Sequence, residues 1–395
     1  MHDTQFARRL LESRASFVSA ARMWYMQKMG MRILQVCSEP VFAGTERFVV
    51  DTTAALLRRG HEVWIAGKRD GGLLEHARRV GLPVAAPPAL RPWDGLRLAW
   101  FAWRHRVDVI HAHLGKAITV GCVAATLARI PLLAHAHIPS ESRPYKLCGR
   151  RWPLLTCSDH LSRHFRDVTG IPASRVRTLH NFSRIHLEPE ATKPRDELAA
   201  GLRRELQLPD RARLLTVAGR PYKVKGFDLA VRALPHILAE HPDVHLLMAG
   251  GMPTEESRAF VARLESTATD LGVRDHIHLL GFRTDIARLL RGSDVVMAPP
   301  RAEPFGLSVL EPMLLGTPVV ATRVGGIPEM LTDDSLGELV EPDNPDALAR
   351  AACRLLGDAA RWSAVSAAAA ASARERFSEE AILPQLEAIY ASMIR

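Results

Sequence analysis

Short apolar runs recur along the chain, each followed by a loop and then by a stretch of helical spacing. They are Ile33–Cys37, His61–Ala66, Val107–His111 and Leu132–Ala136 in the first half, and Arg213–Ala218, Val244–Ala249, Ile277–Leu280 and Asp294–Ala298 in the second. Runs of this length without polar alternation are strands covered on both faces, and interleaved helices make the sheets parallel. This alternation predicts an α/β protein built from doubly wound sheets, whose loops at the carboxyl ends of the strands face a ligand crevice. A chain of 395 residues exceeds one ordinary core, which predicts two domains. The polar, proline-punctuated segment Glu188–Arg195 reads as the linker. The expected divisions are an N-terminal extension (1–30), a first Rossmann-like domain (31–188), a second (189–375) and a C-terminal helix (376–395). Met31–Val36 marks the first strand, so the extension, with Phe6, Leu10, Leu11, Phe17 and Val18 among arginines, is either optional or an amphipathic helix on a membrane face.

Composition narrows the function. No apolar run of about twenty residues is present, and residues 1–30 lack the pattern of a cleavable leader. Five scattered cysteines (Cys37, Cys122, Cys148, Cys157 and Cys353) fit a reducing cytoplasm and lack metal spacing. The net charge of +9 is uneven: residues 1–190 hold 28 basic and 15 acidic side chains, against 24 and 28 beyond. The first half is therefore expected to meet an anionic partner. No nucleic-acid-binding signature accompanies the charge, which leaves a phosphorylated glycolipid or an anionic membrane surface and excludes nucleic acid as the expected partner.

The densest chemistry lies between Pro300 and Met330. Glu303 and Glu311 bracket Phe305–Gly306; Leu307–Leu315 has helical spacing, is interrupted by Pro312, and ends at Gly316. Glu303-Pro-Phe-Gly306, Glu311, Gly316-Thr-Pro-Val-Val320 and Gly325-Gly-Ile-Pro-Glu329 together resemble glycosyltransferase family 4, whose members are retaining, two-domain GT-B enzymes using nucleotide-diphosphate sugars. The resemblance spans roughly residues 31–395 and implies two Rossmann-like domains facing each other across a cleft. It implies that Glu303 contacts the sugar hydroxyls, that Phe305, Gly306 and Leu307 offer backbone N–H groups, and that Glu311 holds the ribose. It also implies that Gly281 and Phe282, with Arg283, lie against the base, that Gly44 approaches the sugar and leaving phosphate, and that the C-terminal helix returns to the first domain.

Arg220 and Lys225 are the cations expected to stabilise a leaving diphosphate. Lys225 stands at a helix start, where its charge opposes the dipole unless an anion is bound, and that placement argues for a ligand. Two His-x-His pairs, His111/His113 and His135/His137, follow or end strands. Zinc is one reading of them; the better reading places His137 in the cleft as a catalytic contact to sugar or acceptor, with His111 and His135 packed in the sheet. Arg143, Lys146 and Arg150 form an expected acceptor-side basic cluster. No Asp-x-Asp occurs in the chain, so transfer is expected to need no metal and no cofactor beyond the sugar nucleotide. The expectation is a cytoplasmic hexosyltransferase, peripheral to the inner membrane face, moving sugar from UDP rather than GDP to an acceptor such as lipopolysaccharide. Its alternatives are a sugar-nucleotide hydrolase or epimerase and a noncatalytic binding module.

Overall fold

The computed structural model describes residues 30–37, 44–85 and 93–394. The extension 1–29 and the loop 38–43, including Ala43, lie outside the described residues. The chain divides into two compact units, residues 1–180 with 379–395, and residues 181–378.

The first unit contains β1 (Arg32–Cys37), α1 (Gly44–Arg58), β2 (Glu62–Ala66), α2 (Gly72–Arg79), α3 (Asp94–Arg104), β3 (Val109–His113), α4 (Gly115–Ala128), β4 (Leu132–Ala136), α5 (Arg143–Gly149), β5 (Leu154–Thr156), α6 (Asp159–Thr169) and β6 (Val176–Thr178). Its sheet is parallel, in the order β2-β1-β3-β4-β5-β6. β3 begins two residues later than the apolar run suggested. Val107 donates its N–H to Ala102 O (2.8 Å) to close α3, and the Asp108 carboxylate accepts from the Arg32 N–H (2.8 Å), tying the run to the start of β1. The register therefore carries both His111 and His113 into the sheet. Ser158 caps α6 by accepting from the Leu161 N–H.

The second unit contains α7 (Arg195–Glu205), β7 (Arg213–Ala218), α8 (Phe227–Glu240), β8 (Val244–Ala249), α9 (Glu255–Asp270), β9 (Ile277–Gly281), α10 (Ile286–Gly292), β10 (Val295–Ala298), α11 (Leu307–Leu315), β11 (Val319–Thr322), α12 (Ile327–Met330), β12 (Glu338–Val340), α13 (Pro345–Gly357) and α14 (Ala359–Phe377). Its parallel order is β12-β11-β10-β7-β8-β9, the 3-2-1-4-5-6 arrangement of a dinucleotide-type Rossmann sheet. The segment expected as linker instead belongs to this unit: Pro189–Thr192 is a 3-10 turn, and the Lys193 carbonyl beyond it accepts from Arg291 Nε at 2.9 Å.

The final helix, α15 (Glu379–Met393), belongs to the first unit. Arg58 pairs with Glu379 (2.6 Å) and Arg59 with Glu387 (2.6 Å). His61 Nδ1 accepts from the Met31 N–H, so its Nε2 carries the proton and donates to Glu387 at 2.9 Å. Burial alone would raise the Glu387 pKa, but the bonds from His61 and Arg59 outweigh it and hold the carboxyl at about 2. No helix among the described residues is long and apolar enough to cross a membrane.

Candidate functional site

In the second unit the strand order reverses between β7 and β10, which are hydrogen-bonded neighbours. Loops leaving the carboxyl ends of such a pair diverge and open a crevice. The β7 loop carries Arg220 and Lys225; the β10 loop carries Glu303. Lys225 Nζ and Glu303 Oε2 are 2.6 Å apart, the lysine one-third exposed and the glutamate mostly buried. The helix-start argument for Lys225 is thereby corrected: the anion that offsets its charge here is Glu303. Arg220 is exposed, its guanidinium 5.9 Å from the Tyr222 ring, and no ion pair to it occurs among the described residues.

Backbone geometry fixes both loops. Gly226 precedes α8 with φ +71°, and a Cβ there would overlap the Pro299 carbonyl. Gly325 has φ +57°, and its Cβ would overlap the Glu303 carbonyl, which accepts from the Gly326 N–H at 3.1 Å. The Gly-Gly-x-Pro-Glu segment therefore positions the glutamate loop from behind. Phe305 is buried and packs edge-on against Phe377 at 5.9 Å, so its side chain anchors the loop. Gly306 leads into α11, directing first-turn N–H groups of Leu307 and its successor toward the loop. Glu311, one turn in and beside Pro312, is buried and accepts from Ser183 Oγ at 3.2 Å.

At the end of β9, Gly281 adopts φ +63° and its carbonyl accepts from the Gly250 N–H. The following Phe282 is 77% exposed, a large apolar face presented to solvent. Arg283 pairs with Asp285 (2.7 Å) and Glu205 (2.6 Å). Hydrogen bonds from Arg283, aided by Arg288, hold the Glu205 carboxyl below its usual range.

In the first unit, the two His-x-His pairs form one buried cluster. His113 Nε2 lies 2.6 Å from Gln35 Oε1, and His113 Nδ1 lies 3.0 Å from His137 Nε2. With the amide oxygen accepting from His113 Nε2–H, His113 Nδ1 accepts from His137 Nε2–H, and His137 Nδ1 keeps its lone pair. That atom has no partner among the described residues. A second chain runs from Tyr390 on α15 through His111 Nδ1 (2.7 Å) and Nε2 to His135 Nδ1 (3.2 Å). Nitrogens of His111, His113 and His135 lie within 4.8 Å of one another, but those of His111 and His113 and the Nδ1 of His135 are engaged with Tyr390, Gln35, His137 and each other, and His135 Nε2 has no partner among the described residues. Burial lowers all four imidazole pKa values, that of His137 to about 3, and neighbouring imidazoles add to the effect on the other three. His137, just beyond β4, is thus a neutral imidazole that donates to His113 through Nε2 and offers an acceptor at Nδ1. Gly44 opens α1 and is exposed; Arg143 and Arg150 flank α5 in exposed positions, with Lys146 half-buried between them.

Sequence reasoning passed over Arg301. Its guanidinium clasps Asp228 on α8 (2.8 Å to each oxygen), reaches Asp343 (2.7 Å) and donates to Lys223 O (2.6 Å). The Arg301 N–H also donates to Val224 O at 2.8 Å. This residue braces the turn that holds Lys225; an acid in the first turn of α8 was the available signal. Gln35 and Tyr390 were missed as well, because a polar residue in an apolar strand, or a tyrosine on a distant helix, shows no partner until the unit is assembled.

Residues 200–381 match the family Glycosyl transferases group 1, and residues 42–183 match Glycosyltransferase Family 4. The D-inositol 3-phosphate glycosyltransferase of Xylanimonas cellulosilytica is 31% identical over 391 residues, covering 88% of this chain and 91% of that protein. The protein of the same name from Acidothermus cellulolyticus is 31% identical over 291 residues, covering 68% of this chain and 63% of that one. Among solved structures, Anabaena HepE in complex with UDP and glucose superposes with a TM-score of 0.79 at 25% identity, covering 90% of this chain and 98% of that one. A Rickettsia africae glycosyltransferase shares the fold, with a TM-score of 0.81 at 20% identity over 93% of this chain and 99% of that one.

Proposed function

The chain belongs to glycosyltransferase family 4, and we propose that it transfers a hexose from a UDP-sugar to an anionic hydroxyl acceptor, with retention of configuration and without a metal ion. The observation that carries this reading is the Lys225–Glu303 pair, held at 2.6 Å where the strand order reverses. A diphosphate entering there would take Lys225 from Glu303 and add the exposed Arg220. Both cations would then oppose the charge that grows on the leaving phosphate as its bond to the anomeric carbon breaks. Glu303, released, would accept hydrogen bonds from the sugar hydroxyls, and Glu311 those of the ribose. Backbone N–H groups at Phe305, Gly306 and Leu307 would meet sugar or phosphate, and Gly281 with Phe282 would offer a face to the uracil ring. On the first unit, His137 and Gly44 are the candidates for contact with sugar or acceptor, and Arg143, Lys146 and Arg150 would attract an anionic acceptor. Front-face attack, with the leaving phosphate taking the acceptor's proton, asks for no protein nucleophile. That agrees with a glutamate whose partner is a lysine.

The UDP assignment is supported by Anabaena HepE, whose structure contains UDP. The acceptor is either a phosphorylated polyol, by likeness to the D-inositol 3-phosphate glycosyltransferases, or a membrane glycolipid such as lipopolysaccharide. The basic first unit suits both. The test is thermal unfolding with UDP, GDP, ADP or CMP, with and without magnesium or chelator, on the wild type and Lys225→Ala. A diphosphate at about a hundred times its dissociation constant stabilises by ~2.7 kcal/mol. UDP should do so with chelator present and lose the effect in Lys225→Ala; no shift with any nucleotide would overturn the donor site. Incubation of labelled UDP-sugars with inositol phosphate or extracted glycolipid then separates the acceptors, and sugar release without either would indicate hydrolysis.

A further inference from the structure

Helix α3 is apolar on two faces, and the described residues cover only one of them. Gly95, Leu98, Ala99, Phe101 and Ala102 are buried, and the helix packs along α4. Trp93, Leu96, Trp100 and Trp103 recur at the spacing of a single helical face and stand 58%, 60%, 63% and 71% exposed. Exposed apolar side chains are ordinary singly, but four in a row on one face of a helix are not, because a helix apolar all round is ordinarily buried. Leu127, at the end of the neighbouring α4, is exposed as well.

The charges around this stripe have one sign. Arg97 and Arg104 are exposed on its flank, and Arg106 follows. No exposed carboxylate lies between residues 93 and 107: Asp94 is buried, its carboxylate 4.0 Å from the guanidinium of Arg97, which stays largely exposed. The next acid, Asp108, is bound to Arg32. Arg129 at the end of α4, with Arg151 and Trp152, lines a cavity of about 670 Å³ that also takes in Val107, three residues past α3.

We propose that this face of α3 docks the protein on an anionic lipid bilayer, the tryptophans seated at the headgroup level and Arg97, Arg104 and Arg106 against lipid phosphates. Tryptophan rings favour the water–bilayer interface, and each basic residue near an anionic leaflet adds roughly a fivefold gain in affinity. A second copy of the chain fits less well: a two-fold interface through this stripe would bring the same arginines together with no carboxylate to offset them. The proposal stands apart from the transfer reading, because docking is measured without nucleotide or acceptor.

The experiment is co-sedimentation of the full-length protein with vesicles of phosphatidylcholine alone and of phosphatidylcholine with phosphatidylglycerol, using the wild type, Trp100→Ser/Trp103→Ser and Arg97→Ala/Arg104→Ala. These positions are exposed, and matching thermal unfolding curves verify that the variants remain folded. The wild type should prefer the anionic vesicles by at least about tenfold, and the arginine pair should lose roughly twentyfold. The tryptophan pair should bind poorly to both and lose quenching by brominated lipid. Equal wild-type binding to neutral and anionic vesicles, or a tryptophan variant that binds like wild type, overturns the proposal. So does a wild type that ignores vesicles but changes from dimer to monomer in light scattering when the tryptophans are replaced.

Discussion

Acidification from about pH 7.5 to about pH 5.5 should loosen the first unit by several kcal/mol through its four buried imidazoles. His111, His113, His135 and His137 are held well below the ordinary 6.5, His137 at about 3, chiefly because burial disfavours the charged ring. The unfolded chain has no such restraint and takes up protons as the pH passes through 6.5. The folded-state values are depressed, so the stabilisation is fully present above the unfolded pKa and is lost as pH falls below it. One pH unit below that value, each ring that stays neutral when folded costs about 1.4 kcal/mol, or roughly 6 kcal/mol for four. That is comparable to the entire stability of an ordinary domain. The second unit has a weaker counterpart in the partly buried His245, lowered to about 4 by burial and by His278.

Two units need not unfold together, so a single melting curve would mix them. Hydrogen-exchange mass spectrometry separates them by peptide, after correction for the intrinsic pH dependence of exchange. Peptides over β3 and β4 should lose several kcal/mol of protection over this range while those over β7 and β10 change less. His135→Leu removes one titrating ring and should reduce the pH slope by about a quarter, although it also removes the bond to His111 and lowers protection at every pH. Protection in β3 and β4 that is flat with pH, or a slope untouched by His135→Leu, would refute the buried-imidazole reasoning.

Glu303→Gln keeps the shape of the loop and removes its charge, so turnover should fall about a hundredfold with donor affinity little changed; steady-state kinetics showing unchanged kcat would remove Glu303 from the chemistry. Arg301→Met severs the clasp on Asp228 and Asp343 and should cost about 2 kcal/mol in denaturant unfolding of the second unit. It should weaken nucleotide binding in parallel, and normal binding would show that the Lys225 turn needs no brace. Glu387→Ala leaves His61 and Arg59 without their shared carboxylate and should destabilise the first unit by about 2–3 kcal/mol at neutral pH. Because Glu387 is held down at about 2, wild type and variant should converge as pH falls from about 4.5 toward 2. Parallel curves would place its stabilising effect elsewhere.

Where the sequence spoke clearly, a local rule was at work. Leu307–Leu315 with Gly316 behind it is a helix because apolar spacing and a left-handed closing residue agree, and the structure gives the same bounds. β4 and β7 likewise occupy the runs read from hydrophobicity. β3 slipped because Val107 is equally apolar whether it starts a strand or closes a helix, and the bond to Ala102 O decides. At the site, residue types were legible but partnerships were not. Lys225 and Glu303 are 78 positions apart, and only the adjacency of β7 and β10 brings them together. The resemblance placed the backbone of Gly281 to Arg283 against the base; that the Arg283 guanidinium is held by Asp285 and Glu205 was not legible. The tryptophans of α3 are plain in the sequence, yet an apolar side chain is ordinarily assigned to the core, and only the covering of the opposite face by α4 leaves them outside.

The charge asymmetry sharpens once the units are known. α15 brings three glutamates into the first unit, which then holds 28 basic and 16 acidic residues, against 24 and 27 in the second. The excess therefore survives the reassignment, and it separates by what each cation does. Arg32, Arg58 and Arg59 are matched to Asp108, Glu379 and Glu387, so they hold β1 and α15 in place and their replacement should register as lost stability. Arg97, held only loosely at 4.0 Å from Asp94, and Arg104 flank the exposed stripe, and Arg143 and Arg150 flank α5, all of them exposed. Solvent-exposed cations of this kind contribute little to folding, so their replacement should leave unfolding curves unchanged and register in salt-sensitive binding instead. A basic surface kept merely for solubility would show neither effect, and the contrast between the two groups of arginines distinguishes a working surface from a solvated one.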